Sequence, residues 1–261
     1  MRRMVFAAVM AGVTLAFAGH GGATATPLDE AAERYRPHMI KGIGEALAGA
    51  RSLRERVAAH DLDGAKRAWI SCRAGWERSE VFTAGFVPEL DAQIDAWPNA
   101  TTGFHAIEAK LFGAGSVDVE HETDALVADL SGLNSRLRDM PLTPQGLLNG
   151  TVRLAYEVGE SKSDGGESRI SGTSLDDMRN NVVGIRLAYQ TIFAAAIAAR
   201  DAKLAATVQS KLDALQSLLE VRDLKRVEVT KLRHVSEELV LALQSAAPKL
   251  GLAKPALEAA Q

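Results

Sequence analysis

A chain of 261 residues is long enough for one large domain or two small ones with a substantial core. Its single cysteine, Cys72, excludes an intramolecular disulfide and also excludes haem attachment through Cys-x-x-Cys-His. A formal net charge of -3, with no basic stripe, argues against nucleic acid as a partner.

Residues 1–25 read as a secretory signal. Arg2 and Arg3 make a basic start, Val5 to Phe17 an apolar run broken by Gly12 and Thr14, and Ala23-Thr24-Ala25 a small-residue cleavage site. The rival is an uncleaved anchor, but the apolar run is shorter than the roughly 20 residues a span requires. Cleavage would start the mature chain near Thr26 and deliver it to the periplasm. No cysteine follows the small residues to take a lipid, and no later apolar stretch reads as long and uninterrupted enough to span, so stable membrane insertion is not expected.

Beyond the leader, apolar residues recur at three- and four-residue steps, and no alternating β-branched run stands beside a hairpin turn. The expected fold class is all-α. Leu28 to His60 reads as one long helix, with Pro37 or Gly42-Ile43-Gly44 as a kink. Asp61 or Asp63 caps a second helix, Leu62 to Phe82. An irregular segment, Thr83 to Thr101, is punctuated by Gly85, Pro88 and Trp97-Pro98 and has room for one short helical turn. Helices follow at Thr102 to Phe112, at Val119 to Arg138 and at Thr143 to Val158. Residues 159–172 are rich in Ser, Gly and Asp and form the expected loop between two halves of the domain 26–261. Ser174 then caps Leu175 to Arg200, before Leu204 to Glu220 and Leu224 to Ala246, and the tail from Pro248 should fray. Seven or so helices without a fixed repeat pack most simply as two bundles.

Three pairs carry the chemistry. Glu77 and Glu80 stand three apart, Asp91 and Asp95 four apart, and His105 and Glu108 three apart, so each pair shares one face if helical. An imidazole with several carboxylates suits a borderline metal ion. The plainer reading is a solvated face, with Glu77 and Glu80 flanking Arg73 or Arg78 as surface ion pairs. Against it, Gly103, Phe104, Ala106, Ile107, Leu111 and Phe112 surround His105 with an apolar stripe, and an ionisable pair there demands a partner. Buried structural hydrogen bonding competes with metal binding at this point. The zinc peptidase signature His-Glu-x-x-His is absent, as are a Gly-x-Ser-x-Gly elbow, a phosphate loop and a dinucleotide fingerprint.

The succession Trp76-Glu77-x-x-Glu80, Leu90-Asp91-x-x-Ile94-Asp95 and Gly103-Phe104-His105-x-x-Glu108-x-x-Leu111-Phe112 resembles the imelysin-like family, once classed as M75 peptidases, and within it the EfeO/EfeM-type iron-uptake proteins. Ser174-Leu175-Asp176-Asp177 and Asn180-Asn181-Val182-Val183-Gly184 fit the same pattern. The resemblance implies two four-helix bundles, a bilobed molecule. It also implies a periplasmic component that captures ferrous or ferric iron and passes it to a membrane iron permease, beside a periplasmic peroxidase-type component. Zinc and copper are the alternative ions. His105 and Glu108 match the family's His-x-x-Glu motif; Glu77, Glu80, Asp91 and Asp95 match its acidic positions, with Glu77 and Asp91 ranked first. Longer members carry an N-terminal cupredoxin domain, and this chain is expected to be the short form, with no second metal site supported. No catalytic residue is expected. The alternatives are a metal-dependent peptidase, with Glu80 as base, and a helical interaction protein without metal.

Overall fold

The computed structural model describes residues 25–97, 100–163 and 165–257. The leader, apart from Ala25, and Pro98 lie outside these residues. Every regular element described is helical, with eleven α-helical segments where seven or so helices are expected.

Helix α1 (Pro27–Ala58) opens on a reciprocal cap, in which the Thr26 hydroxyl accepts from the Asp29 amide and the Asp29 carboxylate accepts from the Thr26 amide. Pro27 occupies the first turn, where its missing N–H costs nothing, and the helix runs through Pro37 without interruption. The chain reverses at His60, one residue in the left-handed region at φ 52°. Asp61 then caps α2 (Leu62–Glu77) by accepting from the Gly64 amide at 2.9 Å.

The expected helix Leu62 to Phe82 breaks after Glu77. The Ser79 hydroxyl donates to the Gly75 carbonyl at 2.9 Å, back-bonding of the kind that bends helices. Asn181 donates to the Glu77 carbonyl at 3.0 Å, and Arg153 donates to the Glu80 carbonyl at 3.1 Å. Side chains from distant helices thus satisfy carbonyls at the break. The chain resumes as α3 (Glu80–Phe86) and, with Pro88 in its first turn, as α4 (Pro88–Ile94), so much of the segment expected to be irregular is helical.

Helix α5 (Gly103–Glu108) starts at φ 67°, and a Cβ on Gly103 would collide with the carbonyls of Gln93 and Ile94, so only glycine fits. It continues as a π-helical turn, Ala109–Ala114, before α6 (Glu120–Arg136). Helices α1, α2, α5 and α6 form one bundle. In the second, α7 (Pro144–Gly159) packs on α3, α8 (Ser174–Ala188) and α11 (Val229–Ala246), with α10 (Ala202–Leu219) closing it. Packing of α2 on α8 and of α1 on the turn after α8 joins the two into the expected bilobed all-α architecture.

Three further expectations change. Thr173, not Ser174, precedes α8, and the Ser174 hydroxyl is buried without a partner. The described part of the tail, up to Leu257, is tied down: Ala253 exchanges hydrogen bonds with the Gln145 side chain at 2.8 and 3.1 Å, and Gln244 donates to the Pro255 carbonyl. Finally, α8 runs through a π turn, Tyr189–Phe193, into α9 (Ala194–Ala198), giving a continuous 25-residue helix with an 18-residue window of mean hydropathy 1.3. Its length and composition would admit a membrane span, contrary to the sequence reading. Half of that window is buried against other helices, which accounts for its apolar character.

The α3/α7 contact depends on Gly150, where a Cβ would overlap the Val81 carbonyl. Gly150→Ala should therefore destabilise the protein by about 1–3 kcal/mol in a chemical denaturation experiment. Gly132→Ala, on the exposed side of α6 with nothing within 4 Å, should instead stabilise it by about 0.5–1 kcal/mol.

Candidate metal centre

Arg73 lies on the same apolar stripe of α2 as Trp69, Cys72 and Trp76, and all four side chains are buried. A buried guanidinium must be paired. Arg73 meets Glu77 on its own helix, Asp95 at the end of α4 at 2.6 Å, and Asp177 on α8 at 3.2 Å. Trp76 donates its indole N–H to the other Asp95 oxygen at 2.7 Å. Asp95 is thereby fixed beside Glu77 and Glu80, and the three offer donor oxygens within 4.8 Å of one another.

A second layer comes from the turns between α7 and α8 and from α8 itself. Lys162 donates to Glu77 Oε2 at 2.7 Å and Glu80 Oε2 at 3.0 Å, and lies 3.1 Å from Glu167. Asn181 donates to the same Glu77 and Glu80 oxygens at 2.7 and 2.6 Å. On α5, His105 Nδ1 is 2.9 Å from Glu108 Oε2, while Glu108 Oε1 accepts from the Ser171 amide and hydroxyl at 2.8 and 2.6 Å. His105 Nε2 is 3.3 Å from Asp95 Oδ1, close enough for charge attraction but not aligned as a hydrogen bond, and it is a buried nitrogen without a partner. The ring stacks at a tilt on Trp97, with centroids 5.3 Å apart.

Of the six predicted residues, the structure groups Glu77, Glu80 and Asp95 directly and brings His105, with Glu108, against Asp95. Asp91 stands outside the trio. The surface-pair reading fails on both counts: Arg78 meets Glu45 at 2.7 Å and neither Glu77 nor Glu80, and the Arg73–Glu77 pair is buried. Sequence reasoning missed Arg73, Lys162, Glu167 and Ser171 as members of the cluster. For Arg73 the signal was present, an arginine on a Trp/Cys/Trp stripe four residues before a glutamate. No local pattern marks Lys162.

The electrostatics follow from too many carboxylates for the permanent cations. Burial opposes ionisation of Glu77, but Arg73 and Lys162 outweigh it and hold its pKa below the usual value. Burial and the adjacent Glu77 charge push Glu80 well above the usual carboxylate range. Burial raises Asp177 to about 6, and Asp91 also rises through burial. Asp95 is lowered because Arg73 and His105 overcome its desolvation. Burial disfavours the charged imidazole of His105, yet Asp95 and Glu108 prevail and lift it to about 9.

The donor types are ones that a cation accepts. Metal–oxygen and metal–nitrogen bonds of about 2.0–2.2 Å place donor atoms about 3 to 4.4 Å apart, and the trio's oxygens lie within 4.8 Å of one another. The partnerless His105 nitrogen beside Asp95 supplies the other donor type that transition metals accept.

The imelysin (peptidase M75) family profile matches residues 31–101 and 99–248. An Efem/EfeO family lipoprotein of Staphylococcus haemolyticus (strain JCSC1435) is 29% identical over 213 residues, covering 76% of this chain and 72% of its own length. Its namesake in Staphylococcus aureus (strain NCTC 8325 / PS 47) is 29% identical over 204 residues, 74% of this chain and 71% of its own. A solved structure described as an iron-regulated protein A precursor from Parabacteroides distasonis ATCC 8503 superposes with a TM-score of 0.65 over 87% of this chain and 97% of that one; at 17% identity it shows a shared fold.

Two outcomes follow from the geometry. Arg73→Ala leaves Glu77, Asp95 and Asp177 facing one another without a guanidinium and should cost about 3–5 kcal/mol in denaturant unfolding. Because the folded-state pKa of His105 lies above its unfolded value, its contribution is complete below about 6.5 and lost as pH rises through about 9. Up to roughly 3 kcal/mol of stability should disappear across that window, and His105→Gln should flatten this part of the pH profile.

Proposed function

The chain belongs to the imelysin family, and from that premise we propose that it is a periplasmic metal-binding component of an iron-uptake system, one that captures iron and passes it to a membrane permease. The observation that carries this reading is the buried Nε2 of His105, without an aligned hydrogen bond and 3.3 Å from Asp95, whose carboxylate groups in turn with those of Glu77 and Glu80. The Efem/EfeO name of the staphylococcal relatives points the site toward iron, and their description as lipoproteins agrees with an exported protein.

In this reading the ion is cargo, and the six predicted residues contribute unequally. Glu77, Glu80 and Asp95 supply oxygen, and His105 supplies Nε2. Glu108 holds Nδ1 of the imidazole, the role a carboxylate takes behind a metal-bound histidine, and Ser171 holds Glu108 in turn. Asp91 adds negative charge from outside the trio. Arg73 keeps Glu77 and Asp95 ionised, so part of the site is ready for a cation while His105 still carries a proton.

Loading must therefore expel the proton on His105. The histidine competes across a window reaching about 9, well above the ordinary histidine range. Acidification favours release, a property suited to transfer. Hydrolysis, suggested by the peptidase in the family name, would need Glu80 to act as a base; metal-stimulated proteolysis that disappears in Glu80→Ala would favour that activity over transport.

Iron and zinc binding to the purified mature protein should be abolished or strongly weakened in the double variant His105→Ala, Glu108→Ala. Equal stoichiometry in the two proteins would remove the site. For the wild type, titration calorimetry between pH 7 and 9 should show affinity rising by about tenfold per pH unit for each proton displaced from a group still protonated.

A further inference from the structure

Two permanent cations lie in the carboxylate cluster, and they are held in different ways. Arg73 is carried in the middle of α2 and pinned by carboxylates from three elements. Lys162 is carried by the turns between α7 and α8, where Gly165 and Gly172 adopt left-handed conformations at φ 80° and 75°. Its side chain is only 1% exposed, and its ammonium reaches Glu77 Oε2, Glu80 Oε2 and Glu167 Oε2. Two of the three carboxylates that group as a candidate cation site are therefore already bridged by a cation belonging to the chain itself.

We propose that Lys162 is a tethered competitor for the metal site, its ammonium occupying the Glu77 and Glu80 carboxylates until an incoming ion displaces it. This inference rests on the metal-binding reading above. An ammonium and a divalent ion cannot share the same pair of oxygens cheaply. At about 4 Å and an effective dielectric constant of about 20, repulsion between even two unit charges changes an equilibrium by on the order of a hundredfold or more. The metal must therefore move Lys162 away, and the chain segment bearing it is built of turns, without a helical ladder to break. The guanidinium of Arg73 stays, since its partners span α2, α4 and α8.

The competitor has a functional consequence. It neutralises the carboxylates when no metal is bound, which lets them stay buried. It also weakens the net affinity, and its return helps expel the ion at transfer. The same loop supplies Ser171 to Glu108, so departure of Lys162 is coupled through a short stretch of chain to the residue that holds the His105 ring.

Ferrous-ion binding under anaerobic conditions, with zinc as a redox-inert parallel, tests the idea on the purified mature protein. Lys162→Met should bind at least about tenfold more tightly than the wild type, while Lys162→Arg, which keeps the charge, should show no gain. Wild-type binding that depends on His105, combined with no gain in Lys162→Met, would overturn the role of the lysine and leave the metal site standing. No binding by either protein would remove both. Should the methionine variant not fold, acetylation of the wild type mapped by mass spectrometry decides the matter. Lys162 should be protected without metal and become reactive on loading; continued protection in the loaded protein would count against displacement.

Discussion

A guanidinium buried between two helical bundles has to be neutralised there, and Arg73 is neutralised by carboxylates from α2, α4 and α8. That requirement fixes more than one contact. It brings the end of α4 back onto α2 and fixes α8 beside α2, while Asn181 on α8 takes up the Glu77 carbonyl at the break. Glu77, the last residue of α2, and Glu80, the first of α3, are both buried in this seam.

Once assembled, the seam holds more acidic groups than permanent cations can balance. Glu77, Glu80, Asp95, Asp177 and Glu167 meet Arg73 or Lys162, and Glu108 meets His105 and Ser171. A proton on His105, whose pKa is lifted to about 9, makes up part of the difference. A structural ion-pair network would gain by matching its charges. Excess carboxylates and a buried imidazole nitrogen without an aligned hydrogen bond set this seam apart from a network of matched charges.

The division of labour between helix and loop follows from the same forces. Residues whose positions must persist, Arg73, Glu77, His105, Glu108 and Asn181, sit on helices, with Asp95 at a helix end held by two donors. Lys162, Glu167 and Ser171 sit on turns between α7 and α8 and close the seam from outside. Helices and turns thus contribute different members of the same cluster.

The amino-acid sequence by itself determined the helical class, several caps and the three acidic or histidine pairs. Thr26 with Pro27, Asp61 and Thr143 act within three residues of themselves, and the helical period repeats along each segment. The family likeness was also legible, because it rests on short motifs. Tertiary structure alone decided that Glu77, Glu80 and Asp95 converge while Asp91 stays outside, that the helix breaks after Glu77, and that Arg73, Lys162 and Asn181 belong to the site. Lys162 and Asn181 reach Glu77 across 85 and 104 residues of chain, and Arg73 reaches Asp177 across 104. A charge on a helix reads as solvated until another element covers it, and the desolvation that makes such pairs obligatory arises only when the two bundles close on each other.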